Sequence, residues 1–82
     1  MPTVLRIGAL RVAVYPNDHR PAHVHVIGDG HEAVFHLNCP AGAIALRENY
    51  GFSARDLARV LAAPAANQAV LCAAWESIHG VG

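Results

Sequence analysis

The chain contains no lysine, and its six arginines are balanced by six carboxylates, so the formal charge at pH 7 is zero. Non-specific nucleic-acid binding draws on surplus positive charge to neutralise phosphates. The missing surplus argues against that class of partner. The six histidines add charge only toward pH 6, where an unperturbed imidazole titrates. Cysteine is scarce as well. Cys39 and Cys72 make neither a disulfide framework nor a zinc pattern. They are read as reduced thiols of a cytoplasmic protein, with Cys72 acting as a small buried hydrophobe. Long hydrophobic runs are also lacking. The most apolar stretch, Leu57 to Trp75, is interrupted by Arg59, Pro64, Asn67 and Gln68, which argues against a membrane span. Met1 to Arg6 lacks the basic region followed by an apolar region that marks a signal peptide. There are no repeats, low-complexity tracts or linkers.

What is present fits one domain over residues 1–82. Hydrophobic residues make up 54% of the chain. That is generous for a chain too short to bury much of its own surface. Self-association is expected to cover part of it, most simply in a two-fold homodimer.

Leu10, Val12 and Val14 alternate with Arg11, Ala13 and Tyr15, the pattern of a half-buried strand. Val4, Leu5 and Ile7 make a short strand before it, and Pro16 to Pro21 reads as a loop. His23 to Ile27 and His31 to Leu37 are two alternating runs around Gly28-Asp29-Gly30, a hairpin signal. An Asp29-Gly30 type I′ turn sets Val24 opposite Phe35 and Val26 opposite Ala33. A Gly28-Asp29 turn keeps the same faces in a shifted register. An odd-length loop with simple pairing would turn one apolar set to water. Either even loop gathers His23, His25, Glu32, Val34 and His36 on the opposite face.

Ala43 to Arg47 is expected to be a further strand, and Asn49-Tyr50-Gly51 a turn. Ser53 suits a helix N-cap with Asp56 at N3, and Phe52 and Leu57 suit a hydrophobic staple. The stripe Leu57, Leu61, Pro64, Gln68, Leu71, Trp75, Ile78 keeps helical register to a stop at Gly80. It implies either one helix kinked at Pro64 or two helices, the second with proline in its first turn. The expected fold is therefore α+β: an antiparallel sheet of three to four strands within residues 4–47, with one or two helices over 53–79 packed on its apolar face.

The segment Asn17-Asp18-His19-Arg20-Pro21-Ala22-His23-Val24-His25-Val26 resembles a small bacterial domain-of-unknown-function family, number four-one-six-zero. The resemblance extends to Met1-Pro2, Glu32 to Leu37, Gly51-Phe52-Ser53 and Trp75. The chain departs from the family pattern at Ala-Ala-Pro-Ala-Ala, residues 62–66, where charged residues are usual. The resemblance implies no activity and no catalytic residue. It does imply a small neighbouring partner protein, in an arrangement like a toxin–antitoxin module.

Three functions compete for the histidine face. His23 and His25, two apart on a strand, project the same way and are a start to a zinc, nickel or copper site. Their third ligand would be His36, Glu32 or His19. Alternatively, the histidines with Arg11 and Tyr15 could cleave RNA without metal: one imidazole as base, one as acid, and arginine stabilising the phosphorane. The leading reading is an interaction module that binds a small antitoxin-like partner through this face or an edge strand. The face in question is His19, His23, His25, His36, Glu32, Arg11 and Tyr15, with His23, His25 and His36 as the metal set. Asp18 is assigned either to orienting His19 or His23 or to forming the turn.

Overall fold

The computed structural model describes residues 3–80. The Met1-Pro2 part of the family resemblance lies outside them. Five strands run in the order β1 (Thr3–Ile7), β2 (Leu10–Ala13), β3 (His23–Gly28), β4 (His31–His36) and β5 (Ala45–Tyr50). They form one antiparallel meander in which every strand pairs with its neighbours in sequence. Two helices follow, α1 (Ala54–Ala66) and α2 (Gln68–His79). The α+β architecture is the one expected, with five strands rather than three or four.

The central hairpin follows from its turn. Asp29 and Gly30 both take positive φ, 52° and 73°, the requirement of a type I′ turn. Gly28 pairs with His31, so Val26 faces Ala33, Val24 faces Phe35 and His23 faces His36. This is the Asp29-Gly30 register, and pleating then sorts the side chains. Val12, Val14, Val24, Val26, Ala33, Phe35 and Leu37 form one buried layer. Phe52, Val60, Ala63, Leu71, Cys72 and Trp75 pack onto it from the helical side.

The last strand runs further than the alternation predicts. Asn49 and Tyr50, read as a turn, pair with Ala33 and Glu32. Arg-Glu-Asn carries no period-2 apolar signal. The strand persists there because β4 offers it a hydrogen-bonding edge. The turn comes one residue later at Gly51, whose φ of 107° lies in glycine territory.

The helical half is two helices, bent by 70°. Ser53 caps α1 through a 3.1 Å bond accepted from the Asp56 amide. The break falls at Asn67, so Pro64 lies near the end of α1 rather than in the first turn of α2. Proline removes one intrahelical donor, but α1 continues for two residues beyond it. Asn67 then leaves helical dihedrals, and its side-chain amide donates to the Ala63 carbonyl at 2.8 Å. No single helix among the described residues is long and apolar enough to cross a membrane.

Cys39 and Cys72 form a disulfide, which corrects the reading of both as free thiols. Cys39 lies in the β4–β5 loop and Cys72 on α2. Packing brings their Cα atoms to 5.9 Å across 33 residues of sequence. That spacing is within the range a disulfide spans. Sequence distance gave no hint of it.

Candidate metal centre

The face away from the core is not an open polar surface. Ala13 and Val34, which flank His25 across the ladders, are buried. The segment from Tyr15 to Pro21 folds back over them. It turns because Pro16-Asn17 are its central residues and the Asp18 amide closes on the Tyr15 carbonyl at 3.0 Å. The Asp18 Oδ2 atom accepts the Tyr15 amide at 3.1 Å, which holds that oxygen over β3.

His23 and His25 meet that carboxylate. The Asp18 Oδ2 atom lies 3.1 Å from His25 Nε2 and 3.5 Å from His23 Nε2. One ligand atom from each of the three residues lies within 4.8 Å of the others. Both imidazoles are held from behind by their other nitrogen. His23 Nδ1 is 2.9 Å from the Pro21 carbonyl oxygen, and His25 Nδ1 is 2.8 Å from Glu32 Oε2. A carbonyl oxygen and a carboxylate can only accept, so each Nδ1 is a donor there. Each Nε2 is then left to face Asp18. A carboxylate accepts too, so the arrangement needs positive charge between the rings and Asp18. Either a proton lies between a ring nitrogen and the carboxylate or a cation is shared among the three groups. Tying the far nitrogen of a ligating histidine to a carbonyl or carboxylate is the usual support of a metal site.

Aromatic packing fixes the ring planes. His23 is only 4% exposed, and its ring lies 5.3 Å from that of Trp75. Trp75 stacks on His79 at 3.9 Å, and His79 Nε2 donates to the Tyr15 carbonyl at 3.1 Å. The Tyr15 ring meets His25 edge-on at 4.6 Å. One end of α2 therefore braces both β3 and the turn that carries Asp18.

The remaining expected residues are dispersed. His36 is paired with His23 across the ladder but is not part of the three-residue group. Glu32 stands behind His25 rather than beside Asp18. Arg11 donates to Thr3 Oγ1 at 3.1 Å, at the β1 side of the sheet. His19 lines the cavity over the group from the covering loop. His31 is on the other face, 5.3 Å from Phe52. Sequence reasoning left out Trp75 and His79 as braces and gave Asp18 only a supporting part. The signal for Asp18 is the Pro-Asn-Asp turn, which returns the chain over the strand it is about to enter.

The cavity above the three residues has a volume of about 280 Å³. Its floor is His23, His25 and Val34, one wall is the loop from Asn17 to Pro21, and the other is Arg47 and Glu48 of β5. An antiparallel meander with a histidine-bearing central hairpin and two covering helices thus defines a small α+β domain with a candidate metal centre. The family described as Domain of unknown function (DUF4160) matches residues 10–76, and the chain belongs to it. No curated protein and no solved structure matches the chain.

Proposed function

We propose that this domain binds a divalent transition-metal ion through His23, His25 and Asp18. The observation that carries the proposal is convergence: two imidazole Nε2 atoms meet one carboxylate while both Nδ1 atoms are tied back. Zinc–nitrogen bonds of about 2.0–2.1 Å place tetrahedral ligand atoms about 3.3 Å apart. The carboxylate-to-histidine distances of 3.1 and 3.5 Å bracket that value. Two imidazoles and a carboxylate suit zinc, nickel or iron(II) and leave at least one coordination position for water or substrate. This set exchanges His36 of the sequence reading for Asp18.

Native mass spectrometry on untagged protein prepared without chelator tests it. One zinc-sized increment per chain is expected. It is lost in Asp18→Asn and in the double variant His23→Ala/His25→Ala, and kept in His36→Ala. Circular dichroism checks that each variant folds. A bare chain that takes up neither added zinc nor nickel would sink the reading.

A second reading, a protein-interaction component of a toxin–antitoxin-like gene pair, draws on β5. Among the described residues this is an edge strand with one unpaired side, and it exposes Leu46 at 48% and Tyr50 at 57%. Such an edge can be extended by a partner's strand, either a second copy or a small antitoxin-like protein. The same native spectrum reads the oligomeric state.

A further inference from the structure

The two strands that wall the cavity on its β5 side are not in simple register. Val34 pairs with Glu48 and Phe35 with Leu46, so Arg47 is an extra residue opposite β4. Pleating sends adjacent residues to opposite faces. A bulge breaks that rule locally and re-aims a side chain, and such bulges are frequent beside functional sites. Here the consequence is that the neighbours Arg47 and Glu48 both line the cavity over His23 and His25.

Arg47 approaches Glu48 through Nε, at 3.5 Å. Its two Nη nitrogens form the forked end that matches paired oxyanion oxygens. Arg20 lines the same cavity from the covering loop. A divalent ion held by Asp18 changes the electrostatics of this space. Two charges from the ion and one each from Arg20 and Arg47 stand against the carboxylates of Asp18, Glu32 and Glu48, with the histidines neutral. The sum is one net positive charge around the cavity. The volume of about 280 Å³ is just below the range for small-molecule sites, roughly 300–1,000 Å³. It suits a single oxyanion group rather than an entire nucleotide.

We propose that the cavity receives a phosphoryl oxyanion, with one oxygen on the metal and others on the Arg47 fork. The proposal rests on the metal reading above. A tetrahedral phosphoryl group has oxygens enough to reach the ion and the guanidinium together, whereas a carboxylate on the ion has one oxygen left for arginine. The bulge sets Arg47 on the cavity wall across from the covering loop.

The probe is inorganic phosphate, titrated by calorimetry into zinc-loaded protein freed of excess zinc, with acetate in parallel. Phosphate is expected to bind the zinc-loaded chain and to bind the zinc-free chain at least tenfold more weakly. Arg47→Gln, an exposed substitution, is expected to weaken phosphate at least tenfold while native mass spectrometry still counts one zinc per chain. Zinc uptake without phosphate binding overturns this proposal and leaves the metal reading standing. So does phosphate binding that Arg47→Gln leaves unchanged, or acetate binding as tight as phosphate. A chain that takes up no zinc overturns both.

Discussion

His25 has a carboxylate against each ring nitrogen, and the two have different roles. Asp18 shares the Nε2 side, where the proposed ion would lie, and Glu32 accepts from Nδ1. Replacing Glu32 by glutamine keeps an acceptor oxygen but removes the charge that fixes the tautomer and raises ligand basicity. Losses of such outer partners cost roughly 10–100-fold in metal affinity. Zinc titration of Glu32→Gln should fall in that range, whereas Asp18→Asn should lose more because it removes a ligand. Equal affinity for Glu32→Gln and wild type would mean that Glu32 only solvates the sheet face. Tyr50 gives a separate pH-dependent prediction. Its hydroxyl donates to Glu48, and this bond, with the negative charge of Glu48, pushes the phenol above its ordinary value of 10.0. A phenol raised on folding contributes stability at pH values below the ordinary tyrosine value. That contribution is lost as pH rises through the raised one. Absorbance titration of tyrosinate should therefore show one late-ionising tyrosine, and Glu48→Gln should return it toward 10.0.

At the scale of elements, the disulfide is the strongest tie between the sheet and α2. It joins the β4–β5 loop to the helix across 33 residues. Gln68 adds bonds to the carbonyls of Leu37 and Gly42 in the same region, at 2.8 and 2.6 Å. Closing a loop of that length is worth about 3–4 kcal/mol in the chain-entropy account. For a domain of this size each kcal/mol shifts Tm by roughly 4–8 °C. Thermal unfolding of Cys39→Ser/Cys72→Ser, or of wild type with a dithiol reductant, should show Tm lowered by ten degrees or more. An unchanged Tm would mean that the packing of α2 holds it without the bridge.

For the whole molecule, the core and the candidate centre share α2. Trp75 closes the buried cluster, and its ring also backs His23 and stacks on His79. Trp75→Ala should cost about 3–5 kcal/mol, as large-to-small changes of buried aromatics do. It should also weaken zinc binding, because His23 and, through His79, the Tyr15–Asp18 turn lose their support. Ile78, three residues on and 41% exposed, should tolerate alanine to within about 0.5 kcal/mol and leave metal affinity unchanged. Chemical denaturation and zinc titration of the pair read both effects. Equal zinc affinity in folded Trp75→Ala would confine α2 to a purely structural part.

Local rules were enough for much of this protein. The period-2 alternation of β3 and β4 around Gly28-Asp29-Gly30 sorted the hairpin's faces and left two registers, of which the structure adopts the one with Asp29-Gly30 in the turn. A one-residue slip would have exposed Val24, Val26 and Phe35. The stripe through Leu57, Leu61, Leu71 and Trp75, with Ser53 as cap, marked the helical half and the side it buries. His23 and His25, two apart on a strand, were legible as a pair for the same reason. What the tertiary structure decided is what depends on segments returning through space. The Pro16-Asn17 turn folds Asp18 back over β3 and makes it, rather than His36, the group that meets both imidazoles. The packing of α2 brings Cys72 to Cys39. The edge of β4 extends β5 through polar residues that carry no strand signal of their own, and Asn67 rather than Pro64 separates the helices. Periodicity reports which face a side chain takes within its own element. Loop closure and the docking of one element on another determine which side chains meet.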